Sequence, residues 1–276
     1  MAPQLLTVVV ATYKHPEMLM WCLRTLTHYS PWDYKIVVVD GSETNEDQQA
    51  VHRITRNIQW EELDLIQLGE NRKAMGAFNA ALAACETPYI AFLHDDAYFI
   101  PGSHSFWPSL MDVAVCDDVG MCGPALSNCV GLQHYLRWDL PDLVDAWYLY
   151  GACMMFQTER IRALGGMDEN ISPSDDIELA VRVKNAGFDI VVNRRCFLMY
   201  DRHQTYEQTR TGDEGKHLEE SFNKIVAKHG VAATCEMFFH ESEWEMAKIA
   251  SPTIWDFQRL TNGGAPEWQQ PEGVWS

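Results

Sequence analysis

The first hundred residues alternate between short apolar runs and longer segments in which apolar positions recur with a helical period. The apolar runs predict strands at 5–11, 35–39, 63–67 and 89–93, and the segments between them predict helices at 16–28, 46–56 and 72–84. Because helices of this length form crossovers between parallel strands, the pattern predicts a mostly parallel, doubly wound α/β sheet. Ligands of such sheets bind beyond the carboxyl ends of the strands.

The alternation is less regular after Pro101. It predicts strands at 119–124, 132–138 and 149–156, a polar loop at 139–145, helices at 175–186 and 217–229, and a short strand before Asn193. The helix at 175–186 has one apolar stripe, and Gly187 after it predicts a left-handed C-cap. We expect this second half of the chain to receive a second substrate.

Composition and charge narrow the possible classes of protein. With 276 residues, of which 47% are hydrophobic, the chain can bury a full core. Its net charge of -18 disfavours nucleic acid and anionic lipid as partners. No apolar run approaches the roughly 20 residues that span a bilayer, and the first residues lack a signal-peptide pattern, so we expect a soluble, cytoplasmic protein without a transmembrane segment. The eight cysteines form no CxxC pair, which predicts free thiols.

Two neighbouring carboxylates, Asp95 and Asp96, follow the fourth predicted strand. They would repel a nucleotide diphosphate, but Mg²⁺ or Mn²⁺ held by these carboxylates would attract it and stabilise charge on a departing diphosphate. Capping of a turn is the alternative role for an isolated pair. His94 before them either contacts a phosphate or sugar hydroxyl or packs as an ordinary strand-end residue. The pair therefore predicts a metal-assisted group transfer from a nucleotide.

Other polar residues follow neighbouring predicted strands or begin helices. A carboxylate at Asp40 can accept a hydrogen bond from a pyrimidine imide N–H, and Thr12 ends the adjacent strand. The sequence Asp-Gly-Ser at 40–42 also favours a turn in any protein. Arg72 and Lys73 start a helix whose N-terminus attracts anions, so Arg72 is a candidate phosphate ligand, with solvated surface charge as the alternative.

A second acidic pair, Asp175 and Asp176, opens the helix at 175–186. An N-cap is the default role for one carboxylate, which leaves the other to take a proton from an acceptor hydroxyl; we favour Asp176 as that base. His203 lies in a polar stretch where its imidazole either completes a metal shell or sits in a surface loop. Gly151 either lets a sugar approach the backbone or forms a plain turn.

Taken in order through most of residues 5–230, these motifs resemble family 2 glycosyltransferases of the GT-A fold. The segments that carry the resemblance are 7–13, 37–42, 70–79, 94–96, 151–155, 164–169, 175–182 and 222–230. In the third segment, Lys73 replaces the usual glycine of the family. In the fourth, His94-Asp95-Asp96 aligns with the Asp-x-Asp motif. His203 and the last segment resemble rhamnosyltransferase-like members in particular.

The resemblance implies a role for each matching residue. It implies uracil or thymine recognition by Asp40 with Thr12 nearby, a principal metal ligand at Asp96 with Asp95 as a supporting group, and the base of inverting members at Asp176. It also implies a GT-A (Rossmann-like) domain at 1–235, divided into a nucleotide-binding half at 1–100 and an acceptor-side half at 101–235. A C-terminal helical extension would follow at 236–276.

The motifs together predict a metal-dependent, inverting glycosyltransferase that moves one hexosyl or deoxyhexosyl unit from a UDP- or dTDP-sugar to a hydroxyl acceptor. Glycan, lipid-linked and small-molecule acceptors all remain open. Three alternatives are a retaining enzyme, a noncatalytic sugar- or partner-binding module of the same fold, and a nucleotidyltransferase. The last would need a Gly-rich basic loop, which 12–16 lacks. Trp138, Trp147 and Tyr148 serve either as a sugar platform or in core packing.

Overall fold

The computed structural model describes residues 4–129, 131–201 and 214–230, with only the backbone at 214–219. The strands are β1 (Leu6–Thr12), β2 (Tyr34–Asp40), β3 (Leu63–Gln67), β4 (Tyr89–His94), β5 (Ala97–Tyr98), β6 (Val119–Leu126), β7 (Leu143–Asp145), β8 (Cys153–Gln157) and β9 (Asp189–Tyr200). The helices are α1 (Pro16–Tyr29), α2 (Asn45–Asn57), α3 (Lys73–Ala84), α4 (Phe106–Ala114), α5 (Thr158–Ala163), α6 (Asp175–Asn185) and α7 (Glu214–His229).

One mixed sheet runs through the molecule in the order β3-β2-β1-β4-β8-β6-β9-β5, and β7 pairs with β9. The first four strands of this order are parallel, as predicted. Strand β8 is antiparallel to both β4 and β6, whereas β6 and β9 are parallel. The predicted parallel sheet is therefore confirmed for the first hundred residues, and the second half is mixed.

Helices cover both faces of the sheet, which is what the long apolar runs of its central strands require. Along β1, Val8 and Val10 belong to one buried cluster, and Val9 and Ala11 belong to another. The first cluster contains side chains of α1, α2 and α4, and the second contains side chains of α3, α5, α6 and α7. The doubly wound arrangement therefore follows from strands that are apolar on both faces.

The predicted strand at 132–138 is wrong. A single 3₁₀ turn, Gly131–Gln133, begins this segment, and further turns follow it. The guanidinium of Arg194 donates to the carbonyls of Leu132, His134 and Tyr135, so a side chain satisfies backbone groups that a neighbouring strand would otherwise pair. The predicted loop at 139–145 contains the short strand β7, and β9 is longer than the short strand expected there.

Two helical predictions in the second half are confirmed. Helix α6 ends before Gly187, which has φ +84°, and the N–H groups of Gly187 and Phe188 donate to the carbonyls of Lys184 and Val183. Helix α7 occupies 214–229, close to the predicted 217–229. No helix in the described part of the chain is long and apolar enough to cross a membrane.

The aromatic residues proposed as a sugar platform differ in exposure. Tyr148 is buried, as core packing requires, and Trp147 is half-buried beneath the ammonium of Lys184. Trp138 is 80% exposed, so packing in the core is the wrong interpretation for it. His203, Cys235 and the extension expected at 236–276 lie outside the described residues.

Candidate active site

The carboxyl ends of three parallel strands bring the first group of candidate residues together. Thr12 of β1 lies opposite Asp40 of β2, and Ala11 lies opposite His94 of β4. The Thr12 hydroxyl donates to Asp95 Oδ2 across 2.6 Å. The motifs from separate parts of the sequence therefore meet at one edge of the sheet, where an open α/β fold binds its ligand.

Asp40 is fully buried, and its two carboxylate oxygens have different surroundings. Oδ1 accepts a hydrogen bond of 2.9 Å from the N–H of Ser42, and the N–H of Gly41 donates to the carbonyl of Thr12. Oδ2 is buried without a partner among the described residues. The turn expected at 40–42 is therefore present, and base recognition by Asp40 stays a prediction; an unpaired buried acceptor is costly, and an incoming N–H would satisfy it.

The carboxylates of Asp95 and Asp96 are both buried. Burial, followed by the charge of Asp96, raises the pKa of Asp95 to about 7. Asp96 Oδ1 has no hydrogen-bond partner in the described structure, and the Asp96 carbonyl accepts from the N–H of Asp201. The site thus keeps one buried, unsatisfied carboxylate oxygen at the position that the motif predicts for a metal ligand.

Two histidines flank Asp96. The half-exposed ring of His94 points Nδ1 at Asp96 Oδ1 from 3.6 Å and packs edge-on against Phe92 and Tyr200. Burial alone would lower the pKa of His94, but Asp96, with smaller contributions from other carboxylates, raises it to about 9. The second histidine is His15, just before α1. Burial lowers the pKa of His15, and the charge of Asp96 opposes that shift. Sequence reasoning missed His15.

The residues around Asp96 suit a divalent cation that the protein shares with its substrate. No group of three or more His, Cys, Asp or Glu side chains in the described ranges forms a complete metal site. Mg²⁺ in nucleotide enzymes typically takes one or two carboxylates and completes its shell with phosphate oxygens and water. Asp96 Oδ1, which accepts no hydrogen bond in the described structure and has His94 Nδ1 at 3.6 Å, fits that kind of ion.

Asp175 and Asp176 begin α6, but neither is its N-cap. The N-cap position belongs to Ser174, at φ +76° and without a side-chain cap bond, so capping by an aspartate is wrong. Asp176 Oδ1 accepts from the N–H of Ile177 at 2.9 Å, and Oδ2 accepts from the N–H of Gly151 at 3.1 Å. Burial raises the pKa of both carboxyls, that of Asp175 to about 7. A raised pKa favours proton transfer near neutral pH.

Gly151 lies between Asp176 and His94, the residue that precedes the Asp95-Asp96 pair. A Cβ atom at this position would lie 3.8 Å from His94 Nε2 and 3.9 Å from Asp176 Oδ2, which are ordinary contact distances. Gly151 is not among the glycines with positive φ, so the turn itself does not require glycine. The candidate base and the metal motif therefore border the same small space in front of Gly151.

Arg72 lies at the start of α3 in an ion pair. Its guanidinium meets Glu169 through Nη2 at 2.6 Å and Nε at 3.1 Å. Asn79 donates to the same carboxylate and to the carbonyl of Met167. Arg72 is about one-third exposed, and these contacts join α3 to the segment that precedes α6. Sequence reasoning did not anticipate the roles of Glu169 and Asn79.

Glu178 is a further acidic residue that sequence reasoning left without a role. Its carboxylate is fully buried and contacts Arg182, Lys228 and His229. The spacing of Glu178 and Arg182, four residues apart on a helix, is the one available signal in the sequence. The two partners on α7 are about fifty residues away, and no local pattern predicts them.

A family model and one curated relative match part of this chain. Residues 7–111 match the model of glycosyl transferase family 2. A teichoic acid poly(glycerol phosphate) polymerase of Staphylococcus epidermidis is 30% identical over 95 residues, which are 33% of this chain and 12% of that protein. The chain therefore spans only a small part of that relative.

Solved structures show the same fold at low sequence identity. A mannosyltransferase from Pyrobaculum calidifontis, in complex with GDP-Man and Mn²⁺, superposes with a TM-score of 0.65 at 18% identity over 89% of this chain and 71% of that one. TarS 1–349 of S. aureus, in complex with UDP-GlcNAc, gives 0.64 at 15% identity over 87% and 73%. The predicted GT-A fold and the resemblance to family 2 are confirmed; the likeness to rhamnosyltransferases stays a prediction.

Proposed function

We propose that this chain, with its family 2 match on a GT-A fold, is a metal-dependent glycosyltransferase that moves one sugar from a nucleotide-sugar to a hydroxyl acceptor. One observation carries the proposal. Two buried carboxylate oxygens have no hydrogen-bond partner in the described structure, those of Asp40 at the end of β2 and of Asp96 just after β4, and His94 and Asp176 border the same space in front of Gly151. A base-binding group, a metal ligand and a proton acceptor are the three parts that such a transfer needs.

The donor is a UDP- or dTDP-sugar in this proposal. An ionised carboxylate only accepts hydrogen bonds, and the imide N–H of uracil or thymine is the matching donor for Asp40 Oδ2. Thr12 and Asp95 form a hydrogen-bonded pair beside it, within the nucleotide-binding group that also includes Arg72 and Gly151. A solved neighbour that binds UDP-GlcNAc is consistent with this donor class, whereas the GDP-Man neighbour makes GDP the competitor to test.

Asp96 would hold Mn²⁺ or Mg²⁺, and His203 is a second proposed ligand. The ion supplies positive charge that offsets the diphosphate leaving group. The Mn²⁺ in the mannosyltransferase neighbour agrees with this choice. Without a cation, Asp95 and Asp96 would place like charge against the phosphates.

Asp176 then accepts the proton of the acceptor hydroxyl. The acceptor oxygen forms its bond to the anomeric carbon as the bond from that carbon to the diphosphate oxygen breaks, so the electron pair leaves with the diphosphate. Attack from the opposite face inverts the anomeric configuration. Burial raises the pKa of Asp176 above its usual range, and beside it burial, followed by the charge of Asp176, raises the pKa of Asp175 to about 7. The acceptor is a glycan, a lipid-linked molecule or a small molecule bearing a hydroxyl.

Nucleotide binding tests the proposal directly. UDP or dTDP with Mn²⁺ should raise the melting temperature more than GDP with Mn²⁺ does, and each nucleotide should bind more weakly after chelation of the metal. Absence of any nucleotide effect would leave a noncatalytic module of the same fold as the better description. The anomer of the product, determined by NMR, distinguishes inversion from retention.

The variant Asp176→Asn tests the base. Asparagine keeps the acceptor oxygen for Gly151 but cannot take a proton, so turnover should fall by about 100-fold or more while the Kd for UDP changes less than about twofold. Sugar transfer and calorimetric titration on the same preparation measure the two quantities. Normal turnover in this variant would remove Asp176 from the mechanism.

A further inference from the structure

The first turn of α6 contains a buried ion cluster that the proposed chemistry does not use. Glu178 is 0% exposed, two residues after Asp176. A carboxylate buried alone would be strongly destabilising, so its surroundings must supply charge and hydrogen bonds. They do so from two separate parts of the chain.

Two cationic groups and one imidazole converge on the Glu178 carboxylate. Arg182 donates through Nε at 2.9 Å to each oxygen and through Nη2 at 2.7 Å to Oε2. Lys228 Nζ lies 2.7 Å from Oε1, and His229 Nε2 lies 2.8 Å from the same atom. Because Lys228 and His229 end α7, this carboxylate is the point at which α7 joins α6.

The cluster also fixes α6 against the segment that precedes it. Arg182 Nη1 donates to the carbonyls of Leu164 at 2.6 Å and Gly166 at 2.8 Å. Lys228 additionally contacts Asp168 Oδ2 at 2.7 Å. Contacts from the preceding segment and from α7 therefore constrain the same helical turn, and Asp176 lies on that turn.

We propose that Glu178 is a positioning residue and that α7, through Lys228 and His229, sets the place of Asp176 at Gly151. The inference rests on the proposed function, because a proton acceptor must lie within hydrogen-bond reach of the acceptor hydroxyl. A displacement of about 1 Å is enough to lower turnover by about 100-fold. Helix α7 is thereby a part of the active-site architecture, although none of its described residues touches the reacting atoms.

The variant Lys228→Met removes one α7 contact from Glu178 and leaves Asp176 unchanged. The side chain is 40% exposed, so the folded structure should tolerate methionine. Lys224→Met is the matched control, since Lys224 lies one turn earlier on α7 and donates to the Asn170 carbonyl without reaching Glu178. Lys228→Arg restores the cation and should rescue the variant.

Amide hydrogen exchange of the full chain reports the position of Asp176 without any substrate. The N–H groups of Gly151 and Ile177 both donate to Asp176, so Lys228→Met should accelerate their exchange by about tenfold. The Ser42 amide, which donates to Asp40, should be unchanged. Lys224→Met should alter all three amides by less than about twofold.

Turnover of the UDP- or dTDP-hexose that binds the wild type most tightly completes the test. Lys228→Met should lower kcat by about tenfold with an unchanged Kd for the nucleotide, and Lys228→Arg should recover most of it. Unchanged exchange at Gly151 and Ile177, or unchanged kcat, in both Lys228→Met and Glu178→Gln would overturn the positioning role. Failure of the wild type to bind any nucleotide would instead overturn the proposed function, and the exchange result would still decide whether α7 positions Asp176.

Discussion

At the scale of single residues, unsatisfied atoms are the most informative feature of the site. Asp40 and Asp96 each keep one buried oxygen without a hydrogen-bond partner in the described structure. Natural proteins rarely leave such atoms unpaired, because a buried acceptor loses its water without compensation. A ligand that brings an N–H to one oxygen and a cation to the other would remove both penalties.

The variant Asp40→Asn tests the first of these oxygens. With its amide oxygen placed toward Ser42, asparagine presents an NH₂ group where a ligand N–H must be accepted. Affinity for UDP should fall by about 10- to 100-fold, equivalent to about 1–3 kcal/mol for one mismatched buried hydrogen bond. Calorimetry with UDP measures this loss. An equal loss for phosphate-free uridine is expected, whereas undiminished binding of both would exclude Asp40 from base recognition.

Lys73 has a backbone conformation that suits the glycine found at this position in the family. Its φ is +58°, in the left-handed region that side chains with a Cβ rarely adopt. Lys73→Gly should therefore raise the free energy of unfolding by about 1 kcal/mol, and Lys73→Ala, which retains the Cβ, should not. Urea denaturation of the two variants compares them directly. Equal stability of the glycine and alanine variants would show that this backbone is not strained.

At the scale of secondary-structure elements, α6 and α7 are joined by buried charge. Burial alone would raise the pKa of Glu178, but hydrogen bonds from Arg182, Lys228 and His229 hold it below its usual value. A carboxyl with a depressed pKa in the folded state stabilises the fold above its unfolded pKa of about 4.3 and loses that contribution as pH falls through the folded value.

This linkage predicts how Glu178→Gln depends on pH. Near neutral pH the variant should lose about 1–3 kcal/mol of unfolding free energy, because Arg182 and Lys228 lose the charged acceptor of their hydrogen bonds. Below about pH 4 the difference from wild type should shrink, since the wild-type carboxyl then becomes protonated. Chemical denaturation between pH 3 and pH 7 measures both trends. A difference that grows as pH falls would contradict an ionised, paired Glu178.

The four parallel strands of the first half of the chain are predicted correctly, whereas the strand predicted at 132–138 is wrong. Strands β1, β2 and β4 are apolar on both faces, so their pattern is visible in the sequence alone. The segment at 132–138 has a similar apolar content but meets β6 only at an isolated bridge between Leu126 and His134, and Arg194 binds its carbonyls. Whether an apolar run pairs as a strand depends on a neighbour that local sequence does not specify.

At the scale of the whole molecule, charge is the dominant property. A net charge of -18 on 276 residues means that the folded chain repels itself, and the acidic pairs add to this repulsion at the sheet edge. Salt shortens the range of such repulsion to about 10 Å at 0.1 M. Divalent cations also screen this negative charge, but a cation that binds specifically occupies a defined site as well.

Salt dependence separates these two effects. Raising NaCl from about 20 to 200 mM should raise the melting temperature, and choline chloride at equal ionic strength should do the same, because both act by screening. Mn²⁺ with UDP should add a further, saturable increase that Asp96→Asn abolishes and that salt does not replace. An equal response of wild type and Asp96→Asn to Mn²⁺ with UDP would contradict a metal site at Asp96.

The amino-acid sequence by itself determined the fold of the first hundred residues of this protein. Its strands, their parallel direction and the arrival of Thr12, Asp40, Asp95 and Asp96 at one edge follow from apolar periodicity and from the handedness of crossovers, which are local rules. Only the tertiary structure decided that Gly151 lies between His94 and Asp176, that Arg72 pairs with Glu169, and that α7 closes on Glu178. These contacts join residues far apart in the chain, and their partners are selected by packing of the whole fold.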